Sequence, residues 1–162
     1  MKPERKFVVD GMLGKLARWL RILGYDTLFV GNSSDEEVLE LLERDNSRVL
    51  LTKDRLLYVQ AVKKGFEALL MEGTSIEDWL KQLQASKLID LSQEREPRCS
   101  VCNAKLRKVS KNDVYDRLPE KTRELYDFFY ECSRCRKLYW FGSHWKNIRR
   151  VLKRVASSVE VS

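Results

Sequence analysis

Three aspartates stand where an apolar run stops or a helix begins. Asp10 closes "FVVD", Asp54 closes "LLTKD" just after "RVLLT", and Asp35 opens "DEEVLELL". Carboxylates brought to one place repel one another unless a cation lies between them, and an all-oxygen set of this kind suits Mg²⁺ or Mn²⁺. Such ions orient a phosphodiester, activate water and stabilise a leaving oxygen. A second constellation is made of sulfur. Cys99 pairs with Cys102 and Cys132 with Cys135, each as C-x₂-C, and no cysteine is left over. That spacing fits a tetrahedral structural zinc site, coordinatively closed and therefore without a catalytic role. Disulfides are the alternative, disfavoured by an N-terminus, "MKPERKFVVDG", that has no apolar signal core; the expected compartment is the cytoplasm.

Each aspartate also has a structural reading. Asp10 and Asp54 both fit as caps for the helix that follows. Asp35 sits in a first helical turn behind Ser34, which with Glu37 makes an S-x-x-E capping box, and acidic groups there are favoured by the helix dipole. The convergence of all three on one edge favours the cation site. Glu36, Glu72 and Asp78 are candidates for a fourth acid, Asp78 also fitting a cap pattern with Ser75.

The elements that would position these groups alternate. Residues 6–10, 26–31, 48–52 and 66–71 read as strands. Between and after them, "GKLARWLRILG", "SSDEEVLELLERD", "RLLYVQAVKKG" and "SIEDWLKQLQASKL" carry apolar residues at helical spacing. Strand–helix alternation with short connections implies an α/β fold with a parallel sheet flanked by helices. Right-handed crossovers bring the C-terminal strand ends, and so Asp10 and Asp54, to a common edge, where open α/β sheets bind ligands. The pattern stops near residue 92. The expected division is an α/β unit over 1–92, a linker over 93–97 ending at Pro97, and a small cysteine-bearing unit with a basic C-terminal helix over 98–162.

The 162-residue chain is 43% hydrophobic and has no apolar run long enough to span a membrane. Its net charge of +7 is unevenly spread: residues 1–95 hold 15 Lys/Arg and 16 Asp/Glu, 15 − 16 = −1, and residues 96–162 hold 16 and 8, 16 − 8 = +8. A basic surface suits a polyanion such as nucleic acid, although solubility alone also selects such surfaces. Trp140 and Trp145 are interleaved with Lys146, Arg149 and Arg150 in "YWFGSHWKNIRR", a mixture suited to stacking bases and pairing phosphates, or to packing the small unit on the first. Lys15, Arg18, Lys53 and Arg55 flank the aspartates in sequence and are candidates to hold phosphate oxygens. His144, the only histidine, is a candidate for substrate contact, proton donation or a structural hydrogen bond.

The stretches "FVVDGMLGKLARWLRILGYDT", "SDEEVLELL", "LLTKDRLL", "RCSVCNAKL" and "LYWFGSHW" resemble, in order and spacing, the Mut-seven C-terminal RNase domain family, over about residues 6–147. The resemblance implies a PIN-like core with an appended zinc ribbon, cutting RNA with Mg²⁺ or Mn²⁺ held by Asp10, Asp35 and Asp54. The expectation is a metal-dependent ribonuclease whose RNA is held by the basic ribbon region. The alternative is a PIN-like module that binds RNA or a ribonucleoprotein without cutting it. A weaker reading is a toxin-like nuclease under the control of a protein partner.

Overall fold

A computed structural model describes residues 4–160, the side chains of His144 and of residues 158–160 excepted. The chain runs β1 (Lys6–Asp10), α1 (Gly14–Ile22), β2 (Thr27–Gly31), α2 (Asp35–Arg44), β3 (Arg48–Thr52), α3 (Arg55–Lys63), β4 (Ala68–Leu70) and α4 (Ile76–Ala85). All four strands pair in parallel, in the order β2-β1-β3-β4. The α/β alternation expected from the sequence is therefore present. The fourth strand is shorter than its apolar run: Phe66 packs with the helices of one face, and the Met71 amide bonds to the Thr52 carbonyl.

Strand alternation divides the sheet into two cores. Phe7, Val9, Val49 and Leu51 point to one face, where Leu13, Leu16 and Leu20 from the α1 region and Trp79, Leu80 and Leu83 of α4 cover them. Val8 and Leu50 point to the other, against Val38 and Leu42 of α2 and Leu57 and Ala61 of α3. β3 is buried at every position, as a central parallel strand must be. Gly24 ends the α1 region with φ +94; a Cβ there would lie 2.5 Å from the Cβ of Arg95, so only glycine lets the chain turn this tightly beneath residues 95–96.

The second part contains β5 (Leu106–Val109), α5 (Lys111–Val114), α6 (Glu120–Leu125), β6 (Phe129–Cys132), β7 (Leu138–Tyr139) and α7 (Ser143–Glu160). β5, β6 and β7 form an antiparallel sheet with a small core of Val114, Leu118 and Phe129. The chain then returns. Ile148, Val151 and Val155, on one stripe of α7, are buried in the same core as α1 and α4. The last helix thus closes one face of the parallel sheet. No helix among the described residues is long and apolar enough to cross a membrane.

Candidate functional site

The strand order places a reversal between β1 and β3: the chain leaves β1 toward β2 and leaves β3 toward β4, on opposite sides. The crevice at the C-terminal end of such a reversal is where open α/β sheets hold ligands. Asp10 ends β1 and Asp54 follows β3, so the two aspartates flank it. Asp35 begins α2 just beyond β2, at the same end.

Thr52 organises the crevice. Its hydroxyl donates to Asp10 Oδ2 at 3.0 Å and accepts the Asp54 backbone N–H at 3.0 Å. Burial raises the Asp10 carboxyl above the ordinary carboxylate range, and the charges of Asp35 and Asp54 add to that effect; the Thr52 hydroxyl and the Gly11 amide oppose it. Asp35 and Asp54 are thus each near enough to act on Asp10. The three carboxylates do not form a ready-made cage: among the described residues, only the four cysteines bring three or more such ligand atoms within 4.8 Å of one another.

The capping roles are real as well. Asp54 Oδ1 accepts the amides of Leu56 at 2.9 Å and Leu57 at 3.2 Å. Ser34 and Glu37 complete their capping box, which leaves the Asp35 carboxylate out of it. A carboxylate has about four acceptor positions, so a cap consumes only part of Asp54. Of the candidate fourth acids, Glu36, Glu72 and Asp78 are all exposed, and the last two follow β4 at this same end. Met12 and Leu56 stand at the rim, 85% and 62% exposed. Sequence reading missed Thr52 although it lies inside "LLTKD", because one buried threonine in a strand has no distinctive pattern.

The flanking cations divide. Lys15, Arg18 and Arg55 are exposed on the surfaces of α1 and α3. Lys53 is engaged by another partner: its Nζ donates to the Gly73 carbonyl at 2.7 Å and lies 5.9 Å from the centre of the Trp79 ring.

The cysteines lie at the other end of the sheet. Cys99 and Cys135 have their Sγ atoms 3.6 Å apart, and Cys102 and Cys132 3.3 Å apart. These separations far exceed a disulfide bond of about 2.05 Å and approach the edge of about 3.8 Å in a Zn–S₄ tetrahedron. The amides of Arg134 and Cys135 point at Cys132 Sγ. Although burial resists it, these amides lower the Cys132 thiol to about 6, favouring the thiolate that binds metal. The donor set and its spacing fit zinc. Around it, the Tyr139 hydroxyl lies 3.0 Å from Cys99 Sγ and accepts the Ser100 amide. Arg21, buried at the end of α1, donates to the carbonyls of Thr27, Ser100 and Val101. Asn103 accepts the Thr27 amide and donates to Asp26, which also pairs with Arg48 at 2.9 Å. These contacts seat the cysteine loops on the N-terminal edge of the sheet, opposite Asp10.

The aromatic residues pack and also line a groove. Trp140 meets Phe129 edge to face, and Trp145 packs on Phe141, ring centres 4.8 Å apart, and on the main core. Both also line a groove of about 360 Å³ between the small sheet and the start of α7, with Arg98, Tyr130, Lys137 and Phe141. Lys146, Arg149 and Arg150 are exposed on α7. The side chain of His144 lies outside the described residues.

The model of the Mut7-C RNAse domain matches residues 5–152, nearly the whole chain. The chain belongs to the Mut7-C RNAse domain family. Comparison with curated proteins and with solved structures gave no significant match. In this Mut7-C chain the α/β sheet and the four-cysteine cluster lie within the matched residues, and a nuclease-type activity on RNA follows from the family.

Proposed function

We propose that the chain is a metal-dependent ribonuclease of PIN-like type, with its reaction at the C-terminal edge of the parallel sheet. What carries this reading is the placement of Asp10, Asp35 and Asp54 at the C-terminal end of the sheet around the strand-order reversal, with the charges of Asp35 and Asp54 both reaching Asp10. Their hard oxygen donors fit Mg²⁺ or Mn²⁺, and the charge they concentrate is what a cation offsets. When bound, the cation would supply charge for the phosphodiester and acidify water. Thr52 fixes the Asp10 carboxylate by donating to one oxygen and leaving the other to a ligand. Asp54 offers its remaining acceptor positions while it caps α3. Lys15, Arg18 and Arg55 are surface cations for phosphate, and Lys53 would have to release Gly73 to join them. Residues 1–92 would perform the cutting. Residues 98–162, beyond the 93–97 linker, would hold the RNA through Trp140, His144, Trp145, Lys146, Arg149 and Arg150. Zinc on Cys99, Cys102, Cys132 and Cys135 would fold that region in a reducing compartment such as the cytoplasm.

The test is cleavage of end-labelled single-stranded RNA with Mn²⁺, Mg²⁺ or EDTA. The wild type should cut with metal and stop in EDTA. Asp10→Asn and Asp54→Asn should not cut. Asparagine caps a helix about as well as aspartate, so Asp54→Asn keeps α3 intact and isolates the loss of charge. Retained cleavage in both variants would overturn the assignment. One observation favours the binding module instead: Asp54 is partly engaged as a cap. Under that reading RNA binds and stays uncut under saturating Mn²⁺.

A further inference from the structure

The two ends of the parallel sheet are joined by α7, and its two faces differ. Trp145, Ile148, Val151, Leu152 and Val155 turn to the core. Lys146, Arg149, Arg150, Lys153 and Arg154 fall on the opposite arc and are exposed. Arg154 pairs with Glu77, in the first turn of α4. Among the described residues, the other four form no ion pair, so their charge is open to a ligand.

The direction of α7 follows from its contacts. Trp145 and Ile148, near its start, line the aromatic groove with Ile22, the last residue of α1, which lies at the cysteine end of the sheet. Arg154 reaches the start of α4, which follows β4 and lies at the Asp10 end. The cationic face therefore runs from the groove toward the carboxylates. The groove is lined by Tyr130, Tyr139, Phe141 and Trp145, with Arg98 and Lys137 at its border. Aromatic faces bordered by cations suit a nucleobase and its phosphate.

We propose that single-stranded RNA binds in a fixed register, with one base seated in this groove and its backbone laid along the cationic face of α7, so that the bond presented at the Asp10 edge lies a set number of nucleotides away. From Trp145 to Arg154 a helix rises about 14 Å, close to four stacked nucleotides, and the base held in the groove adds one, so the register is about five. The register rests on the reading of RNA as the ligand, but binding without metal tests it independently of cleavage.

The test uses the full chain in EDTA with 5′-fluorescein oligouridylates of 2 to 12 nucleotides, read by anisotropy. Affinity should rise steeply up to about five or six nucleotides and then level. Phe141→Leu keeps the apolar volume and removes a stacking face; Arg149→Glu with Lys153→Glu reverses the rail. Phe141→Leu should weaken binding at every length, whereas the rail reversal should weaken the longer oligonucleotides at least about tenfold and leave the shortest unchanged, with zinc content and helical circular dichroism confirming the fold. In a second arm, 4-thiouridine placed singly in a 12-mer should crosslink to the 137–145 segment about five nucleotides from the position cut with Mn²⁺. Affinity that does not depend on length, or unchanged affinity in both variants, would overturn the register. Absence of cutting alongside the length threshold would sink the ribonuclease reading and leave the register standing. Absence of binding at every length would overturn the register and turn attention to an apolar peptide as the groove's occupant.

Discussion

The molecule holds two candidate metal sites at opposite ends of one sheet, and they are built to different degrees. At the cysteine end, four donors from two loops already lie within 4.8 Å of one another, and Arg21, Asn103 and Tyr139 brace their backbone. At the Asp10 end, the charges of Asp35 and Asp54 reach Asp10 but the donors remain apart, and Asp54 also serves as a cap. Soft thiolates that saturate a zinc ion can be brought together by folding alone. Hard carboxylates that must leave room for a substrate cannot be packed so closely without severe repulsion. A site with a purely architectural task can be finished early, whereas one that handles substrate is completed by what it binds.

That contrast can be broken most forcefully at the cysteine end. Cys132→Ser, or chelation of the wild type, should remove one equivalent of zinc and collapse the β5–β7 region. Structural zinc contributes on the order of 10 kcal/mol to such small units, so protease resistance over residues 98–142 should vanish. Freshly purified, reduced protein without zinc would contradict the assignment. At the other end, Thr52→Val keeps the shape of a buried strand residue but removes the donor to Asp10. Cleavage should fall about 10- to 100-fold, as when a supporting hydrogen bond to a metal ligand is lost, while stability, read from the urea midpoint, falls by no more than the about 1–3 kcal/mol expected for the Asp54 amide left without its acceptor. A large fall in stability with unchanged cleavage would make Thr52 purely structural.

The smallest effect expected lies where the sheet meets the cysteine loops, at Asp26. Burial alone would raise its carboxyl, but hydrogen bonds from Arg48 and Asn103, with the charges of Arg48 and Arg98, hold it below the ordinary range. Its contribution to stability is therefore complete above about pH 4 and is lost as pH falls through that value and below. Asp26→Asn should cost about 1 kcal/mol at pH 7 and flatten the acid limb of the unfolding curve. An unchanged acid limb would remove Asp26 from the link between sheet and cysteine loops.

The sequence revealed the parallel sheet because apolar strands and amphipathic helices alternate through residue 88 with short turns. It also showed the cysteine cluster, since paired C-x₂-C spacing carries its own geometry. Asp10 and Asp54 were legible as strand-end carboxylates. The docking of the cysteine loops was not. It depends on Arg21, which in sequence looks like an ordinary basic residue in a last helical turn but is buried and bonded to three carbonyls. Nor did the sequence show that α7 would return to the first core, because an amphipathic helix does not announce its partner. In sequence Trp140 and Trp145 suit stacking and packing equally; in the fold they pack while they line a groove.

The return of α7 also bears on synthesis. The apolar faces of α1 and α4 leave the ribosome well before Ile148, Val151 and Val155 exist to cover them. At about 5–20 residues per second, the stretch from Gln93 to Val155 takes roughly 3–13 s to make. During that interval the nascent chain displays an unfinished core that invites aggregation or a chaperone. Anything that stalls translation within the cysteine loops lengthens the exposure, so the yield of native protein depends on the speed of elongation as well as on the final fold.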